Sequence, residues 1–124
     1  MTEPGPGEEK PGRQEVRMTL RSVLLGDEVI LSVDGVFDGG LAPTYHQAVE
    51  DAFAAQVRRV VVDLVQATAV DGGGIAVLAA TAAGCAARET QLIIAMPRGV
   101  EAVITDPAQV RLLLRSFEPW QDAG

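Results

Sequence analysis

Residues 59–75 run Arg59-Val60-Val61-Val62-Asp63-Leu64-Val65-Gln66-Ala67-Thr68-Ala69-Val70-Asp71-Gly72-Gly73-Gly74-Ile75. Val60, Val61, Val62 and Leu64 form a short apolar run rich in β-branched side chains. That pattern suits a central strand covered on both faces. Residues 65–70 read as a short loop, and Asp71-Gly72-Gly73-Gly74 as a tight glycine turn. A helix is predicted over residues 73–88, carrying Ile75, Val77, Leu78 and many alanines, the best helix formers. Gly84 inside that helix costs roughly 1 kcal/mol relative to Ala, so it is expected to mark a close packing point.

Upstream, residues 20–25 and 28–33 are apolar segments around Gly26-Asp27, the signature of a two-residue hairpin. Val29, Leu31 and Val33 alternate with Ile30 and Ser32, so one face is expected to be covered and the other half covered. Residues 35–40 read as a loop. A first helix is predicted over 41–57, with Pro43 in its first turn, where a missing N–H costs nothing. Ala42, Tyr45, Val49, Ala52 and Phe53 fall on one stripe. Downstream, residues 91–95 (Gln91-Leu92-Ile93-Ile94-Ala95) read as a strand ended by Met96-Pro97, and residues 98–105 as a short helix. Asp106-Pro107 then opens another helix as N-cap and first residue, with Val110, Leu113 and Leu114 on one face. Phe117 and Trp120 are expected to close the domain. The order is β-β-α-β-α-β-α. After the hairpin, strands joined through helical crossovers are parallel, which gives a mixed α/β sheet.

The chain has 124 residues, enough for one domain with one core. Residues 1–15, rich in Pro, Gly and Glu, contain no apolar residue after Met1 and are expected to be a disordered tail; the domain proper is expected over 16–124. Aromatic residues are only 4 %, so the core must be built from Val, Leu, Ile and Ala. A net charge of −7 argues against a nucleic-acid partner. The only lysine, Lys10, lies in the tail and cannot serve as a core catalytic base. One cysteine, Cys85, excludes an internal disulfide and points to a reducing compartment; it is expected to be a small buried hydrophobe. No signal-peptide core and no apolar run of ~20 residues is present, so no membrane association and a cytoplasmic location are expected.

Three local patterns together resemble the STAS domain, the fold of bacterial anti-sigma factor antagonists, over residues 19–117. Val33-Asp34-Gly35-Val36-Phe37-Asp38 with Ala42-Pro43 is similar to that family's Gly-Glu-Leu-Asp loop and the Ala-Pro that opens its first helix. Val62-Asp63-Leu64 matches the strand-ending Asp-Leu. Asp71-Gly72-Gly73-Gly74-Ile75 matches the Asp-Ser-Ser-Gly-Leu turn, with Thr68 at the family's common loop Thr. The resemblance implies a mixed sheet of four to five strands with helices mainly on one face. It places Asp38 beside the phosphorylation site and implies a partner surface of Asp38, Asp71, Gly72, Gly73, Gly74 and Ile75. The implied partner is an anti-sigma factor of the ATP-binding kinase type, and a homodimer is left open. The family's phospho-acceptor Ser stands where this chain has Gly72, and its second hydroxyl where this chain has Gly73. No oxygen is available at that position to receive a phosphate. The last helix, interrupted by Asp106-Pro107, also departs from the family's long third helix.

Other chemistry is thinly represented. A Walker loop needs a Lys after its last Gly, and a Gly-x-Gly-x-x-Gly loop begun at Gly72 would need glycine where Val77 stands. His46 is the sole histidine and lies on the first helix; Ser22, Ser32 and Ser116 have no triad context. One His and one Cys do not make a metal site. Asp34, Asp38 and Asp71 are expected as solvated rim charges, and Arg58-Arg59 as a helix end complementing the dipole. No cofactor and no enzymatic activity are expected. The expected function is protein binding as an anti-sigma factor antagonist without the usual switch. The alternatives are an accessory subunit of a transport ATPase or stress-signalling complex, and a small-ligand sensor that uses the glycine turn.

Overall fold

The computed structural model describes residues 19–115; the predicted tail, the start of the domain at Val16, and Ser116, Phe117 and Trp120 lie outside them. Strands β1 (Thr19–Leu25) and β2 (Glu28–Phe37) form the predicted hairpin, antiparallel from Thr19↔Asp34 to Leu25↔Glu28. Gly26 supplies the turn's positive φ, +62°, which only glycine adopts at no steric cost. Helix α1 (Ala42–Ala54) follows, then β3 (Arg59–Asp63), β4 (Ala67–Val70), α2 (Gly72–Ala87), β5 (Gln91–Ala95), β6 (Glu101–Ile104) and α3 (Pro107–Arg115).

The sheet runs β1-β2-β3-β5-β6, with β4 pairing the far end of β2. The crossovers through α1 and α2 make β2–β3 and β3–β5 parallel, as the alternation of strands and helices predicts. Among the described residues the sheet has six strands rather than four or five. One added strand is β4, in the segment read as a loop. It pairs with Gly35, Val36 and Phe37, which also read as loop, past an irregularity between Gly35 and Val36. The other is β6, where a short helix was expected. There Arg98 (φ +72°) and Gly99 (φ +78°) reverse the chain after Pro97, and Met96 N–H donates to the Val100 carbonyl at 2.7 Å. The reversal lays β6 antiparallel on β5.

Alternation along the strands sorts the two faces. Val29, Leu31 and Val33 of β2, Val60 and Val62 of β3, and Leu92 and Ile94 of β5 are buried. They meet Tyr45 and Val49 of α1, Val77, Leu78 and Cys85 of α2, and Val110 and Leu114 of α3 in one core. The helices therefore cover one face. The opposite face carries the row Val23–Ile30–Val61–Ile93–Val103. Val61 in that row is half-buried, so β3 is not covered on both faces as its apolar run suggests.

Helices α1 and α2 end alike. Gln56 and Glu89 both sit at φ +57°, and the N–H groups of Val57 and Thr90 reach back five residues to Ala52 and Cys85. This is the Schellman closure that usually carries Gly. Gly84 is the expected packing point, since a Cβ there would lie 3.2 Å from the Phe53 ring of α1. Arg88 stacks over the same ring at 4.2 Å from its centroid.

Candidate functional site

The strand β2 carries Phe37 to the end of the sheet, where its side chain is fully buried and packs 5.5 Å from the Tyr45 ring. Its carbonyl accepts the N–H of Asp71 at 3.2 Å, which fixes the start of α2 against the end of β2. Asp71 caps α2: its carboxylate accepts the N–H of Gly74 at 2.9 Å, and its carbonyl accepts the N–H of Ile75. Such a cap satisfies donors the helix cannot satisfy itself. Asp38 does the same one loop away, accepting the Gly40 N–H at 2.8 Å to cap the 3-10 turn Gly39–Leu41.

The two capped turns touch through glycine. A Cβ on Gly73 would stand 2.7 Å from the Gly39 nitrogen and 2.9 Å from its Cα. A Cβ on Gly74 would run into the Phe37 carbonyl oxygen and lie 3.0 Å from Val70 Cγ1. Gly73 and Gly74 are thus required by close backbone approach, not only by turn flexibility. Gly72 differs from both: nothing lies within 4 Å of its Cβ direction, and its φ is not in the left-handed region.

Asp38, Asp71, Gly72, Gly73, Gly74 and Ile75 therefore come together on one rim, with Gly74 buried beneath it and Gly72 and Gly73 exposed. Asp34 does not join them. It lies four residues up β2, paired with Thr19. Thr68 is exposed on β4. From the rim, α2 presents Ala76, Ala80, Ala83 and Ala87 to solvent, so its outer face is smooth and uncharged. Their three- and four-residue spacing, out of phase with Val77, Leu78 and Cys85, is the sequence signal that separates them from the buried stripe.

Buried polar groups near the site are structural. Thr81 Oγ1 lies 3.0 Å from the Val77 carbonyl and 3.2 Å from the Tyr45 hydroxyl. A threonine hydroxyl has one proton, so it donates to the carbonyl while the tyrosine donates to it. Burial pushes the Tyr45 phenol above its ordinary range, and pushes the Cys85 thiol up to about 11. Both stay protonated at neutral pH, and Cys85 is a buried, inert thiol. Among the described residues no three His, Cys, Asp or Glu side chains converge on a metal position. No described helix is long and apolar enough to cross a membrane.

Two solved structures share the architecture. An anti-sigma factor antagonist from Mycobacterium paratuberculosis superposes with a TM-score of 0.59 at 23 % identity, over 82 % of this chain and 80 % of that one. Mglu superposes with a TM-score of 0.56 at 24 % identity over 63 % of this chain, which spans only 19 % of the Mglu chain. No curated protein matches the sequence. The family model described as Mlab, STAS domain matches residues 20–117, which contain nearly all the described elements. With the capped glycine turn at the end of β2 and the helices on one face of a mixed sheet, this chain belongs to the STAS domain family.

Proposed function

We propose that this protein is a non-enzymatic interaction module, an anti-sigma factor antagonist that binds an anti-sigma factor of the ATP-binding kinase type and escapes its phosphorylation. The contact surface is the rim of Asp38 and Asp71–Ile75, continued by the alanine face of α2. The observation that carries this reading is the contrast within the glycine turn. Gly72 stands in open space where a side chain would fit, yet it presents no hydroxyl. A phosphate there would add about −1.5 to −2 charges beside Asp71 and repel an acidic partner surface. Without an acceptor oxygen the binding is constitutive.

Small side chains along α2 support close approach by a partner helix or loop. Placing Arg at Ala80, an exposed position, leaves the core intact and obstructs that approach. Calorimetric titration against the anti-sigma kinases of the same genome tests the surface: the natural chain binds one of them, and Ala80→Arg weakens binding at least tenfold. Equal affinity for both forms removes α2 from the contact. The missing hydroxyl also favours a second reading, a permanent accessory subunit of a transport ATPase, which requires no switch. Failure to bind any anti-sigma factor, with co-purification of an ATPase, moves that reading to first place.

A further inference from the structure

The edge strand β1 is unusually open to association. Among the described residues no strand lies beyond it. It is seven residues long, and Val23, Leu24 and Leu25 are 48 %, 55 % and 57 % exposed. Edge strands are normally blunted by Lys, Pro, a bulge or short length. Strand β1 has none of these, and Arg21 is its sole charge. The opposite edge, β6, is four residues long and carries Glu101.

The hairpin fixes which backbone groups face outward. The residues flanking a two-residue turn form a hydrogen-bonded pair, here Leu25↔Glu28. Leu25, Val23 and Arg21 therefore bond to β2, and Leu24, Ser22 and Leu20 direct their N–H and C=O groups away from the sheet. These three positions are spaced evenly about Ser22. An antiparallel copy related by a two-fold axis at Ser22 sets Ser22 against Ser22, and Leu20 against Leu24, so every outward group on both strands is paired. On the helix-covered side the exposed Leu24 then rests beside the partner copy's Leu20, which already packs on its own core. Of the alternative occupant, the preceding segment of the same chain, residues 4–11 carry Pro4, Pro6 and Pro11, which cannot donate to a ladder, while residues 12–18 carry no proline and are distinguished by amide exchange.

We infer that the outer edge of β1 is a self-association surface, pairing antiparallel with β1 of a second copy about Ser22 into one continuous sheet. The strand is about 24 Å long at ~3.4 Å per residue, small beside a standard interface, so the dimer is weak. Each copy carries −7, and the two Arg21 side chains meet on a cross-strand diagonal. Both effects oppose pairing and both are screened, so added salt tightens it.

Sedimentation equilibrium on the full chain, from tens to several hundred micromolar, should show a monomer–dimer equilibrium that tightens about threefold or more with salt, as screening of like charges requires. Ser22→Pro, which removes an outward donor, and Leu24→Lys, which charges the edge, should each abolish the dimer while leaving the circular dichroism spectrum unchanged. Paired Ser22 positions lie about 5.5 Å apart in Cα, within disulfide reach of ~4.4–6.8 Å. Ser22→Cys should therefore cross-link on mild oxidation, and Leu25→Cys should not. A monomer at all concentrations and salts overturns the inference, and slow amide exchange at Leu20, Ser22 and Leu24 in that monomer assigns the edge to the chain's own preceding segment. A dimer untouched by both edge variants, or equal cross-linking of both cysteine variants, overturns it as well.

Discussion

A side chain at Gly73 has nowhere to go. Its Cβ would stand 2.7 Å from the Gly39 nitrogen, a backbone atom that moves only if the whole Asp38 loop moves. Gly73→Ser should cost about 1–3 kcal/mol, as overpacking of a fixed contact does. Gly72→Ser should leave stability within about 0.5 kcal/mol of the natural chain, because open space and ordinary φ make it a surface change. Chemical denaturation of the two variants side by side checks the contrast; equal losses would contradict it. The sequence shows three glycines in a row and cannot tell these cases apart, since the difference lies in Gly39 and Phe37, distant along the chain and close in space. Cys85 provides a second residue-scale test. Its thiol is raised from 9.0 to about 11 by burial. The folded state thus favours the neutral form, and the stability this contributes is fully present below about pH 9, the unfolded value, and is lost as pH rises toward the folded one. The loss is on the order of 2–3 kcal/mol. Denaturation between pH 8 and pH 10.5 should show it, and Cys85→Ala should flatten the slope over the lower part of that range.

Caps decide the boundaries of the secondary elements. Asp106 was legible as a helix start because an Asx side chain before a helical run satisfies orphan N–H groups; Asp71, read only as part of the glycine turn, caps α2 in the same way. Asp106 accepts the Ala108 N–H at 2.7 Å, and Gln109 reaches back to the Asp106 N–H, completing a capping box. The predicted ends of the first two helices, at 57 and 88, run past Ala54 and Ala87, where α1 and α2 stop, because Gln56 and Glu89 take the left-handed conformation without being glycine. That conformation costs roughly 1–2 kcal/mol for an L-residue, so Gln56→Gly and Glu89→Gly should each raise stability, by about 0.5–1 kcal/mol after the entropy of the freer unfolded chain is subtracted. A rise in melting temperature checks this, and a fall would show that these side chains make contacts worth more than the strain. Strands β4 and β6 were not legible. Each is four residues long and contains Ala, and such segments become strands only through pairing, β4 with the end of β2 and β6 with β5. The Pro97-Arg98-Gly99 sequence before β6 was the turn signal that favoured a reversal over a helix.

At the scale of the molecule, the helices cover one face of the sheet, and the function proposed for the chain uses the end of the sheet where β2, the Asp38 loop and α2 meet. The alternation of strand and helix, the hairpin and the glycine turn were readable from periodicity and turn residues; the family was readable only through the resemblance carried by residues 33–38 with Ala42-Pro43, by Val62-Asp63-Leu64 and by residues 71–75. The open face was not. Val60, Val61 and Val62 are equally apolar, and only the register with Ile30 and Ile93 shows that Val61 faces away from the helices. The acidic balance of the chain, −7, belongs to this scale as well, for it opposes an added phosphate beside Asp71. The central claim is that the missing hydroxyl at Gly72 removes a switch from an otherwise intact binding surface. It is tested most directly by incubating the natural chain and Gly72→Ser with the anti-sigma kinase that binds them, with ATP, and reading intact mass and complex together. The natural chain is expected to gain no phosphate and stay bound, while Gly72→Ser gains one phosphate and dissociates. Phosphate on the natural chain, or a phosphorylated Gly72→Ser that remains bound, would contradict it.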